Sequence, residues 1–140
     1  MKTVNVKKLP LLELWYDSDS DNKKRWKANL PFTPKFPLWS GIQTDQSSVV
    51  YFELEPGCEL GEHYESSEEI LFIISGDARV VIADESFEVS DGELLVIPAS
   101  TPHTVHNLGK HVAKFLGFFA NSESYSTFSE DVSPVGSRVL

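Results

Sequence analysis

A chain of 140 residues, 41% hydrophobic and 24% charged, is long enough to bury one core without covalent staples. Its formal net charge of −9 excludes nucleic acid and anionic membranes as main partners. A single cysteine, Cys58, excludes an intrachain disulfide framework and fits a reducing compartment.

The chain opens "MKTVNVKKLPLLELWYDSD". Pro10 and Glu13 interrupt its apolar run and no small-residue cleavage site follows, so no signal peptide is predicted. No stretch is long enough to span a bilayer. A cytoplasmic protein is expected. Residues 1–45 read as an arm with Pro10, Pro31, Pro34, Pro37 and all three tryptophans, Trp15, Trp26 and Trp39. No long amphipathic helix is legible there, at most a short one around residues 21–29. So many aromatics do not suit a disordered tail, so the tryptophans are expected to cover the core.

From Ser48 onward short strands alternate with turn residues, and residues 46–120 are expected to form the barrel. "SVVYFELE" ends at Pro56-Gly57. "EILFII" and "ARVVIA" flank Ser75-Gly76-Asp77, which reads as a hairpin. "ESFEVS" runs into Asp91-Gly92, and "ELLVIP" follows. "HTVHN" leads to Leu108-Gly109-Lys110, and "HVAKFLGFFA" closes the series. This spacing predicts an all-β jelly-roll barrel. Residues 121–140 are polar with isolated apolar positions and are expected to fold back over it.

Four residues stand out by type and position. On a strand, alternate residues share a face, so His63 and Glu65 point one way and Tyr64 the other. Glu69, Leu71 and Ile73 share a face of the next strand. His103 starts a strand with Val105 and Asn107 beside it. Carboxylates and imidazoles next to buried strands are costly unless compensated. Isolated, each reads as a surface residue at a loop edge. Converging in one barrel, they form a ligand set suited to iron, manganese, nickel, cobalt or zinc.

Two segments carry a resemblance. Gly57, five residues, His63-Tyr64-Glu65, three residues, Glu69, six residues and Gly76 resemble the first motif of the cupin superfamily. Gly92, five residues, Pro98-Ala99-Ser100, two residues, His103, three residues and Asn107 resemble the second. Together they cover roughly residues 48–120. The resemblance implies a double-stranded β-helix of the small single-domain type, with a metal held by three histidines and a glutamate. His63, Glu69 and His103 then occupy ligand positions. Glu65 stands where the family has its second histidine, and Ser100 where it has glycine. Ser100 implies a turn that needs no positive φ or tolerates some strain.

Glu65 leaves three readings open. It is a fourth ligand, giving an acid-rich shell that favours Fe²⁺ or Mn²⁺, with Ni²⁺, Co²⁺ or Zn²⁺ also compatible. Or His63, Glu69 and His103 hold the metal and Glu65 is a general base. Or the site has degenerated. Other features are set aside. His106 has the opposite parity to His103, and His111 follows a turn. Glu68 points away from Glu69. "DSDSDN" lacks the glycine and closing glutamate of a calcium loop. Cys58 has no histidine placed to activate it, and Phe118-Phe119 reads as core or oligomer surface.

The resemblance implies a metal-dependent enzyme of dioxygenase type on a small organic substrate. An enol or enediol would bind the metal, and Glu65 or Glu69 would take its proton, with Leu71 and Val105 as pocket walls. The alternatives are a non-catalytic small-ligand-binding protein, and a lyase or isomerase with Glu65 as base. A homodimer is expected.

Overall fold

The computed structural model describes residues 3–33, 40 and 42–140. The expectation for Trp39 therefore lies outside the described residues, as does that for Pro34 and Pro37. The described residues form twelve strands and no helix: β1 Leu12–Tyr16, β2 Arg25–Asn29, β3 Ser48–Leu54, β4 Glu59–Glu65, β5 Glu69–Ser75, β6 Asp77–Ile82, β7 Glu85–Ser90, β8 Leu94–Ile97, β9 His103–Asn107, β10 Ala113–Phe119, β11 Ser126–Ser133 and β12 Ser137–Val139. The fold is all-β, as the turn spacing predicts.

All pairings are antiparallel. The strand order is β7-β6-β9-β4-β11-β1-β2-β3-β10-β5-β8, with β12 added to β11. The chain shuttles between two walls of one curled sheet. The stretch "SGD" accordingly makes no hairpin: β5 pairs with β10 and β8, whereas β6 pairs with β7 and β9. Here the chain crosses from one wall to the other. Gly76 performs the crossing at φ 116°, where an added Cβ would lie 2.8 Å from the Ala113 Cβ. The tightest hairpin instead joins β6 to β7, with Ala83 at φ 53°.

The arm is more regular than its composition suggests. The short helix around residues 21–29 is absent, because Arg25–Asn29 is a strand between β1 and β3. Trp26 and Ala28 are buried on one face by period-two alternation. The preceding turn is held by Asp19, whose Oδ1 accepts from the Lys23 amide at 2.9 Å. The tail is regular too: β11 pairs with β4 and β1, and so closes one wall.

Phe52 and Phe115 stack at 4.6 Å between centroids in the centre of the core. Leu14, Leu54, Leu71, Ile73, Val80, Ile97 and Val105 are buried with them. Toward one end the core gives way to buried polar groups: His63, Glu65, Glu69 and His103. No helix of the described residues is long and apolar enough to cross a membrane.

Gly76 and Gly57 separate two contributions to stability. Both have positive φ, but a Cβ at Gly57 meets nothing within 4 Å. Gly57→Ala is expected to cost about 1 kcal/mol of backbone strain. Gly76→Ala adds the overlap with Ala113 and is expected to cost about 3 kcal/mol or more. Urea denaturation of the two variants checks the difference.

Candidate metal centre

Strand register places the four residues. His63 lies opposite His103 across the β4–β9 ladder, and Phe128 and Ser126 lie opposite His63 and Glu65 on the other side. His63, Glu65 and His103 thus belong to one wall. Glu69 comes from the facing wall, at the start of β5 between Phe119 and Ile97. The alternation read from the sequence holds: His63 and Glu65 are 4% and 5% exposed, while Tyr64 between them is 39% exposed.

Each histidine is oriented by a backbone carbonyl. The Nδ1–H of His63 donates to Gly61 O at 2.7 Å, and that of His103 to Thr101 O at 2.8 Å. These bonds occupy Nδ1 and leave each Nε2 facing inward, where it can carry a proton or meet a metal. His63 Nε2 lies 2.9 Å from Glu65 Oε1. His103 Nε2 lies 3.6 Å from Glu69 Oε1 and 4.0 Å from Glu65 Oε1, too far for hydrogen bonds. It is buried with no hydrogen-bond partner.

An orphaned, inward-facing imidazole nitrogen among carboxylates is an incomplete arrangement unless a cation joins it. The residues fit a divalent metal: the donor atoms of His63, Glu65 and His103 lie within 4.8 Å of one another, and Glu69 flanks them. Carboxylate oxygen and imidazole nitrogen suit iron, manganese or zinc.

The protonation of the cluster follows from its burial and charges. Burial disfavours a charged imidazolium at His63, but the Glu65 carboxylate outweighs it and lifts the pKa above the ordinary histidine value. Burial pushes Glu65 up, yet His63 and the Ser126 hydroxyl outweigh it and hold this carboxyl below the usual range. Burial raises Glu69. The approach of His103 offsets this in part, and the Glu65 charge reinforces it.

Several supporting residues carry no motif signal. Ser126 Oγ donates to Glu65 Oε2. Phe128 stacks on the His63 ring at 4.8 Å. Gly117 makes room for Glu69: an added Cβ would overlap its carboxylate and lie 2.8 Å from Val50 Cγ1. Ser100 has φ 57°, and its amide donates to Glu65 O at 2.8 Å. The turn before His103 therefore does use a left-handed residue, and serine carries the strain that glycine would not. Period-two alternation over "STF" would have grouped Ser126 with Phe128, but not with the cluster.

His63, Glu65 and Glu69 border a cavity of about 90 Å³, with His103 buried behind them. Leu14, Trp26, Phe52, Leu60, Phe119 and Phe128 make its apolar walls, and Ser122, Ser124 and Ser126 line one side. Leu71 and Val105, named from strand parity as pocket walls, lie in the hydrophobic core at 1% exposure, and other side chains border the cavity. His106 faces outward and pairs with Glu59 at 2.8 Å. His111 and Glu68 are exposed, and Asp19 of "DSDSDN" is committed to Arg25 at 3.4 Å. Burial raises the Cys58 thiol pKa, which keeps it an unreactive thiol.

A curled antiparallel barrel with buried imidazoles and carboxylates at one end defines a jelly-roll protein with a possible metal site. The family model of the cupin domain matches residues 50–119, and the chain belongs to the cupin family. It is 40% identical over 57 residues to the uncharacterized protein MJ1618 of Methanocaldococcus jannaschii, covering 41% of this chain and 45% of that one. In fold it is similar to the oxalate decarboxylase of Lactobacillus farciminis, at a TM-score of 0.69 and 21% identity, over 88% of this chain and 34% of that one. It is also similar to the oxalate decarboxylase of Bacillus subtilis, a protein with Mn(II) centres, at a TM-score of 0.62 and 19% identity, over 75% and 28% of the two chains. The chain thus spans less than half the length of each.

In the metal-free protein the raised pKa values of His63 and Glu69 mean that folding retains their protons. The His63 contribution is full below about pH 6.5 and is lost as pH rises through its folded pKa, while the cost of ionising buried Glu69 builds from about pH 4.3 up to its own folded pKa. The lowered pKa of Glu65 stabilises above about pH 4.3 and is lost in acid. From these groups, metal-free stability is therefore expected to be highest in mildly acid solution, near the lower of these values, and to fall as pH rises. A bound dication should remove that fall, because it replaces the protons. Thermal melts of both forms across pH check this.

Proposed function

We propose that this cupin is a divalent-metal-dependent enzyme of dioxygenase type acting on a small organic molecule. The observation that carries the reading is the orphaned His103 Nε2 beside the Glu65 and Glu69 carboxylates, which themselves border a largely apolar cavity. His63, Glu65 and His103 would hold the metal, with Glu69 as a fourth ligand or as the base. A bound metal would supply Lewis acidity and, as iron or manganese, a redox centre for oxygen chemistry. Iron or manganese is favoured because two carboxylates make a hard, charge-cancelling set.

The chain's own part in such a reaction follows from the cluster. His63 and Ser126 keep Glu65 ionised. Glu69, with its raised pKa, is the better placed of the two to accept a substrate proton near neutral pH. Trp26, Phe52 and Phe128 exclude water from the reacting end. Proton abstraction without oxygen, as in a lyase or isomerase, has one specific support. Glu69 stands beside the compact triad, which makes it the base in that reading in place of Glu65. A single-cysteine chain is consistent with action in the cytoplasm.

The homodimer belongs to this proposal and has a candidate surface. The outer face of β10, β5 and β8 aligns Phe118, Ile70 and Val96, all at least 39% exposed, with Leu94 at 65% beside them. β8 ends the strand order with its outer edge unpaired among the described strands. A contiguous apolar face next to a free edge suits a second copy.

Metal analysis of protein purified without chelator, with oxygen uptake on catechols, flavonols and β-diketones, tests the enzyme. Glu65→Gln should lower metal occupancy at least tenfold while the fold persists. Absence of metal that Glu65→His does not restore would refute it. Bound metal without oxygen uptake would move the assignment to proton-transfer chemistry. Separately, Ile70→Glu with Val96→Glu should convert a dimer to monomer by light scattering. A parent protein already monomeric removes the dimer.

A further inference from the structure

We infer that the cavity selects a compact, uncharged organic molecule with one or two oxygen donors and rejects dianions such as dicarboxylates. This substrate class rests on the proposed metal reading for the end that meets the ligand cluster. The cavity walls set the preference independently of it.

Three observations carry the inference. The first is charge. Glu65 and Glu69 border the cavity, 5% and 3% exposed. Among the described residues that border it there is no lysine or arginine. Two carboxylates with two neutral imidazoles already cancel a dication, so a dianion would bring uncompensated negative charge into a site with little water to screen it.

The second is the character and size of the space. Trp26 and Phe128, stacked at 5.4 Å, form one wall. A volume of about 90 Å³ exceeds the roughly 30 Å³ share of one water and falls below the pockets of about 300 Å³ that hold drug-sized ligands. The occupant is compact.

The third is an unused polar atom. Ser124 borders the cavity, and its Oγ is buried without a hydrogen-bond partner. The loop that carries it is tied down next door: the Ser66 amide donates to Tyr125 O at 2.9 Å, and the Tyr125 amide donates to Ser66 Oγ at 3.0 Å. The hydroxyl is closed off from the open space as it stands, and rotation about the serine's one χ angle would turn it to a partner within the cavity. A carbonyl or hydroxyl oxygen of the ligand supplies one.

Acetylacetone and malonate separate the classes, since they share heavy-atom count and 1,3-placed oxygens but differ by two methyl groups against two charged oxygens. Calorimetry of the full chain, metal-free and zinc-loaded, should show acetylacetone binding at least tenfold more tightly than malonate in both forms. Ser124→Ala should weaken acetylacetone roughly fivefold, the effect of one neutral hydrogen bond, and leave zinc stoichiometry unchanged. Malonate binding as tightly, no acetylacetone binding in either form, or an unaffected Ser124→Ala would overturn the inference. Zinc stoichiometry, read separately, tells the two failures apart. No zinc uptake with the neutral preference intact defeats only the metal reading, whereas zinc uptake with malonate preferred defeats only this one.

Discussion

Two imidazoles and two carboxylates buried within a few ångströms of each other are the constraint on which this barrel turns. Desolvating such groups costs several kcal/mol each unless charge and hydrogen bonds compensate. Protons alone leave His103 Nε2 without a partner. The surrounding structure keeps both ring nitrogens aimed inward even so. Gly61 and Thr101 carbonyls take the Nδ1 protons, and Phe128 braces the His63 ring. A chain that only needed a stable core would gain by replacing these residues with aliphatic ones.

The two-walled construction is what lets the cluster form. His63, Glu65 and His103 are neighbours by ladder register, but Glu69 must come from the opposite wall, although it follows Glu65 closely in sequence. The short Ser66–Glu68 link and the crossing at Gly76 put consecutive strands on different walls. Gly117, across the β5–β10 ladder, leaves the space into which the Glu69 carboxylate settles. A glycine mid-strand normally weakens pairing. At this position it admits a charged side chain to the interior.

Strand positions and face parity were legible because the period of two is a local property. His63 with Glu65, Glu69 with Leu71, and the outward Tyr64, Glu68 and His106 all follow from it. Pairing partners were not legible, since a glycine turn looks alike whether its strands pair with each other or part to separate walls. The helix expected around residues 21–29 failed for a related reason: the edges offered by β1 and β3 overrode weak local preference. Leu71 and Val105 share faces with Glu69 and His103, but equally buried side chains such as Leu14 and Phe52 border the cavity in their place, because its position depends on how the walls meet and not on parity.

The sequence by itself determined an all-β barrel and nominated His63, Glu65, Glu69 and His103, because residue type, spacing and alternation are local and additive along a strand. Only the tertiary structure decided how those four divide. It grouped Glu65 with the two histidines and set Glu69 on the facing wall. It also drew the cavity from residues distant in sequence: Trp26 of the arm, Phe119 of the barrel, and Ser124 and Phe128 of the tail. The physical reason is that a cavity and its charge balance are properties of surfaces brought together across the fold, and no single segment carries them.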